Sequence, residues 1–215
     1  MSKVQAGVVA LVALIVGLVA SVYIAPPQVG PQTQHVSLYP QARVLPDFEL
    51  VANDGQKVTP LTLKNHWSLV FVGYTYCPDI CPTTLAELKG IYPELQKIPT
   101  DNPIQVMFIS VDPKRDSTER LNEYINFFNP DFIAASAEHV QLFPLVRAMG
   151  MMYSMSESTD NPNYLVDHSS SVVVVNPEAQ VIGRFKPDFE VGKLPISEGQ
   201  KILEDMPAII ARAQS

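Results

Sequence analysis

The segment Trp67-Ser68-Leu69-Val70-Phe71-Val72-Gly73-Tyr74-Thr75-Tyr76-Cys77-Pro78-Asp79-Ile80-Cys81-Pro82 decides how the rest of the chain is read. Residues 67–74 form an almost unbroken apolar run, the pattern of a strand buried on both faces. From Pro82 the period changes: Leu85, Leu88, Ile91 and Leu95 recur at helical spacing, which predicts a helix over 82–96. Pro82 suits the first helical position and puts Cys81 near the N-cap. Cys77 and Cys81, the two cysteines of the chain, therefore sit where a buried strand turns into a helix. In open α/β sheets that end of the strands is where sites form. A helix N-terminus stabilises an anion, so Cys81 is expected to be the more acidic thiol.

The plain reading of two such cysteines is a stabilising disulfide. Closing so short a loop is worth only about 2 kcal/mol, at the low end of the usual range. Reversible thiol chemistry or metal binding accounts better for the pair.

Working outward, strands are predicted over 47–52, 104–111, 172–175 and 181–185. The last two flank the turn Asn176-Pro177-Glu178-Ala179-Gln180, and Asn53-Asp54-Gly55 is a further hairpin signal. Helices are predicted over 117–128, 138–149 and 195–213. Alternating strands and helices that end in a hairpin and a helix make an α/β fold, a mixed sheet flanked by helices. The order resembles the thioredoxin arrangement.

The ends of the chain differ from this middle. Residues 8–24 are all apolar or small, and the run is long enough to cross a bilayer as one helix. A cleaved signal peptide would carry a shorter run and a small-x-small site, which the exit through Val22, Tyr23 and Ile24 lacks. The expected organisation is an N-terminal transmembrane anchor over 1–25, a Pro-rich tether over 26–45 and a thioredoxin-like domain over 46–215. Lys3 before the helix favours a cytoplasmic N-terminus, and no Arg-rich leader is present. A single-pass protein of a bacterial inner membrane, with its domain on the periplasmic side, follows. The formal net charge of −7, with no basic run, argues against nucleic acid as a partner.

Of the four histidines, His35, His66 and His139 read as surface or packing residues. His168, in Asp167-His168-Ser169-Ser170-Ser171, leads towards the strand at 172–175, beside the cysteine loop in a thioredoxin-like sheet. Cys77, Cys81 and His168 make an S₂N donor set that suits copper or zinc, and ligand identity alone does not choose between them. Asp116, with Glu119 three residues on, reads as a helix capping box, leaving Asp112 and Arg115 as lesser candidates for shaping the site. Asp79, between the cysteines, reads equally as a group that tunes thiolate basicity or meets a cationic patch and as a solvated loop carboxylate. Met149, Met151, Met152 and Met155 read as core filler rather than thioether ligands.

Residues 71–82, together with Val111-Asp112-Pro113-Lys114-Arg115-Asp116 and Asp167-His168-Ser169-Ser170, resemble the SCO/SenC family, over about residues 46–210. Tyr74 stands where Phe is usual in that family. The resemblance implies copper, as Cu(I) or Cu(II), on Cys77, Cys81 and His168. It also implies a metallochaperone that serves the dinuclear copper centre of a cytochrome c oxidase subunit or another periplasmic copper protein. The alternative is a thiol-disulfide oxidoreductase in which Cys77 and Cys81 are the redox pair and form a disulfide bond in turnover. Residues 163–176 contain no proline where thioredoxin-type enzymes carry one, and the spacing is Cys-x₃-Cys rather than Cys-x₂-Cys. Both features favour metal binding, and no other catalytic residue is assigned.

Overall fold

The computed structural model describes residues 5, 7, 8, 11–17, 32–155, 159 and 161–213. The chain divides into two units, Met1–Gln32 and Thr33–Ser215. In the first, residues 11–17 are helical and exposed. Most of the expected anchor lies outside the described residues, and among the described residues no helix is long and apolar enough to cross a membrane.

The second unit is built on strand β4 (Trp67–Gly73), all seven residues of which are buried. It pairs in parallel with β5 (Ile104–Ser110) and antiparallel with β9 (Val172–Val175). Around these lie β10 (Gln180–Phe185), β6 (Ile133–Ser136), β2 (Leu50–Ala52) and β3 (Lys57–Val58). With β1 (Val36–Val44) the sheet has eight strands in the order β1-β10-β9-β4-β5-β6-β2-β3. The helices are α1 (Pro60–Leu63), α2 (Ile80–Leu95), α3 (Thr118–Phe128), α4 (His139–Ala148) and α5 (Gly199–Ala213). This is the mixed, thioredoxin-like α/β arrangement that the alternating pattern predicts.

Three departures from the sequence expectation change which residues hold the fold together. First, residues 36–44 are not tether but strand β1, paired antiparallel with β10. Pro40 is tolerated because β1 is an edge strand whose register shifts between Leu38 and Arg43. The buried carboxylate of Asp205 in α5 accepts the backbone N–H groups of Gln34, His35 and Val36 at 2.9, 2.7 and 2.7 Å, so the chain joins the fold about ten residues early. The prolines read as an extended tether because the partner of this strand lies far along the chain.

Second, α3 is capped by Ser117, whose side chain accepts from Arg120 N–H at 3.2 Å. Asp116, read as the cap, is buried and turned inward. Third, α5 begins at Gly199 rather than at 195. The hydroxyl of Ser197 donates to Phe185 O at 2.8 Å, which holds the preceding residues to β10. Gly199 is needed where α5 crosses α2, since a Cβ there would lie 2.9 Å from Glu87 O.

Helix α1, strands β3 and β6 and one further pair of strands have no counterpart in the sequence reading. Strands β7 (Tyr153–Met155) and β8 (Val166–His168) form a separate two-stranded sheet, with Tyr153 opposite His168.

Candidate metal centre

Strand β4 ends at Gly73, and the chain turns through Tyr74 and Thr75, both buried, into the cysteine loop. The turn closes with Cys77 N–H donating to Tyr74 O at 3.3 Å. Helix α2 then starts at Ile80, after Asp79, whose carbonyl accepts from Thr83 Oγ1 at 2.7 Å. Cys81 is thus inside the first helical turn, and its backbone N–H points at Cys77 Sγ, 3.4 Å away.

This geometry reverses the expected acidity. Cys77, not Cys81, is the sulfur at the helix N-terminus. A hydrogen bond from the Cys81 side chain, aided by hydrogen bonds from His168 and from the Cys81 and Asp79 backbone, holds the Cys77 thiol down to about 4 against the opposing effect of burial. Cys81 is fully buried, and that burial, reinforced by its hydrogen bond to Cys77 and the charge there, pushes its thiol well above the ordinary range. The helix N-terminus acts on the sulfur that its N–H groups face, which is that of Cys77, whereas the Cys81 sulfur is fully buried. Neither cysteine is in a disulfide; Cys77 is partly exposed and Cys81 buried.

The third candidate arrives from the small sheet. His168 ends β8, and its ring lies edge-on to Phe71 and Tyr74, with centroids 6.0 and 5.9 Å apart. Nδ1 is 3.2 Å from Ser169 O, and a carbonyl only accepts, so this contact places a proton on Nδ1 and turns Nε2 towards the sulfurs. Nε2 is 3.3 Å from Cys81 Sγ. The donor atoms of Cys77, Cys81 and His168 all lie within 4.8 Å of one another. Bonds of about 2.0–2.3 Å to one shared ion place ligand atoms roughly 3.5–4.6 Å apart, so the set fits a single soft or borderline ion with little movement.

The remaining sequence candidates do not converge here. His35 pairs with Glu204 at 3.1 Å, His66 contacts Lys64 O at 3.0 Å, and His139 contacts the Tyr153 hydroxyl at 2.8 Å. Met149 and Met151 are buried in the core, Met155 packs against it, and Met152 is exposed. Asp79 is exposed.

Several residues that the sequence reading missed, took for a helix cap or ranked as lesser candidates surround the donors. Gly73 lies under Cys81, where a Cβ would be 2.5 Å from Sγ. Asp116 accepts from Thr75 N–H at 2.9 Å, Thr75 Oγ1 at 2.7 Å and Ser110 Oγ at 2.5 Å. Asp112 pairs with Arg115 at 2.5 Å and accepts from the Tyr164 hydroxyl. The Arg115 guanidinium lies 3.5 Å from the Tyr164 ring centroid and 4.8 Å from that of Tyr76. An aspartate one residue before a capping serine carries no local mark of a long-range partner, so sequence spacing alone did not reveal it.

Comparison with known proteins agrees with this architecture. The family model described as SCO1/SenC matches residues 37–195. A mitochondrial SCO1 homologue of Arabidopsis thaliana is 32% identical over 149 residues, covering 68% of this chain and 43% of that protein. An SCO2-like protein of Rickettsia prowazekii is 34% identical over 148 residues, covering 68% of this chain and 71% of its own. Among solved structures, Arabidopsis thaliana ScoI with copper bound superposes with a TM-score of 0.64 at 26% identity, over 79% of this chain and 99% of that one.

Proposed function

This chain belongs to the SCO1/SenC family, and from that premise we infer that it is a copper metallochaperone that holds one copper ion on Cys77, Cys81 and His168 and passes it on. The observation that carries this reading is the convergence of two sulfurs and one imidazole within 4.8 Å, at the edge of a buried sheet. Cys77 contributes a thiolate that is already ionised at neutral pH and partly open to a partner. Cys81 contributes a second sulfur from inside the fold, and the Ser169 carbonyl orients the imidazole. Two soft sulfurs with one nitrogen suit Cu(I), and the imidazole gives the same set a hold on Cu(II).

The partner on this reading is the copper-centre subunit of cytochrome c oxidase or another periplasmic copper protein. The domain is held by a single N-terminal helix on the periplasmic side of an inner membrane. The apolar run at 8–24 supports that location, and strand β1 leaves at most residues 26–35 for the tether.

A second reading has its own support. A solvent-facing thiolate beside a buried neutral thiol is the arrangement of a thiol-disulfide reductase. Cys77 would attack a client disulfide, and Cys81 would lose its proton and displace the client as a dithiol, closing a Cys77–Cys81 disulfide. Anaerobic copper titration followed by mass spectrometry separates the two. Reduced protein taking up one copper, with oxidised protein taking none, supports the carrier. Rapid reduction of a client disulfide by a protein that takes up no copper supports the reductase.

A further inference from the structure

The two halves of the centre are held by different parts of the fold. The cysteines follow β4, which is bonded on both sides within the eight-stranded sheet. His168 ends β8, which is hydrogen-bonded to β7 in the separate small sheet. The two sulfur ligands and the imidazole are therefore set in register by no common strand ladder, although Cys81 and His168 stand 87 residues apart in sequence and 3.3 Å apart in space.

One short loop reaches both. Between β5 and α3, Asp116 points to the cysteine side, where it accepts from Thr75 N–H, Thr75 Oγ1 and Ser110 Oγ. The Thr75 hydroxyl in turn accepts from Arg120 Nε at 3.1 Å. Four residues earlier, Asp112 points to the histidine side and accepts from the hydroxyl of Tyr164, which is 1% exposed. Arg115 completes that side: Nε donates to Asp112, Nη1 donates to Pro162 O at 3.1 Å, and its plane covers the Tyr164 ring. Burying Asp116 among neutral donors is costly unless each oxygen is satisfied, and here both are.

We propose that the loop carrying Asp112, Arg115 and Asp116 is the clamp that sets the cysteine pair and His168 in register before metal arrives, with Asp116 and Tyr164 as its two positioning residues. The proposal rests on the copper-carrier reading for its purpose, but the clamp itself exists in the metal-free protein. Removing a group that orients ligands typically lowers metal affinity about 10- to 100-fold. The two arms act on different ligands, so each leaves its own signature.

The test uses Asp116→Asn and Tyr164→Phe in the full chain, with Ser110→Ala as a milder lesion of the cysteine arm. In the reduced, metal-free protein the Cys77 alkylation rate reads one arm and the His168 ring signals in NMR read the other. Asp116→Asn and Ser110→Ala are expected to change the alkylation rate and leave the His168 signals in place. Tyr164→Phe is expected to do the reverse, and each variant should release Cu(I) to a chelator about 10-fold faster or more. Unchanged alkylation in both cysteine-arm variants, or unchanged His168 signals in Tyr164→Phe, would overturn the clamp. Loss of both signatures together in every folded variant would also overturn it, because that pattern is general loosening. If the wild-type protein takes up no copper, the carrier reading fails, and the metal-free measurements still decide the clamp.

Discussion

Gly73 and Cys81 are in mutual contact, so close that a Cβ on residue 73 would lie 2.5 Å from Sγ of Cys81. The last residue of the central strand is thereby fixed as glycine by the sulfur of a residue in the first turn of the next helix. The same hypothetical Cβ would meet Phe108 at 3.0 Å, so the sulfur cannot be accommodated by a sideways shift alone.

Gly73→Ala should therefore strike the centre as well as the fold. Overpacking of this kind costs about 1–3 kcal/mol, readable as a lower denaturation midpoint. Copper affinity should fall along with it, because the strain is relieved by moving Cys81. A folded variant with wild-type copper affinity would mean that the sulfur had room to spare.

The two thiols should differ sharply in reactivity. At pH 6 the reduced protein should be alkylated at Cys77 and not at Cys81, since the first is a thiolate held down to about 4 and the second a buried thiol. Peptide mapping after a short iodoacetamide pulse reads this directly. Preferential labelling of Cys81 would restore the acidity order expected from sequence.

Stability should follow the same two groups with opposite signs. In the folded state Cys77 lies below the ordinary thiol value of ~8.5. Its contribution is fully present above that value and is lost as pH falls towards about 4. Cys81 lies above the ordinary value, so its contribution is present at lower pH and is lost as pH rises past ~8.5. Denaturant midpoints of the reduced protein and Cys77→Ser should therefore converge between pH 8.5 and pH 5. Parallel curves would remove the case for a stabilised Cys77 thiolate.

Copper uptake at neutral pH should release one proton. Cys77 has none to give, and Cys81 must lose its own to become a ligand. Apparent affinity should rise about tenfold per pH unit around pH 7, and Cys81→Ser should flatten that slope while weakening binding. A two-proton slope would show that both thiols are neutral in the free protein.

His168→Ala should fold, losing about 0.5–1.5 kcal/mol of ring packing against Phe71 and Tyr74. Some Cu(I) should stay on the two sulfurs, and Cu(II) should suffer more because imidazole matters more to the harder ion. Cu(II) spectra identical to wild type would exclude His168 as a ligand.

The strand–helix junction that carries both cysteines was legible in the sequence, because the apolar run at 67–74 and the helical spacing from Leu85 to Leu95 are local properties of the chain. So was the approach of His168, rather than another histidine, to the cysteine loop, once the fold was expected. Tertiary structure alone decided which sulfur is the acidic one: that depends on Cys81 turning inward over Gly73 while its N–H faces Cys77. It also decided that residues 36–44 are a strand, since Asp205 and β10 are remote in sequence, and that Asp116 serves Thr75 and Ser110 rather than a helix end. Periodicity records which elements form. Burial of a sulfur and the partners of a carboxylate are set by residues that meet only when distant segments pack.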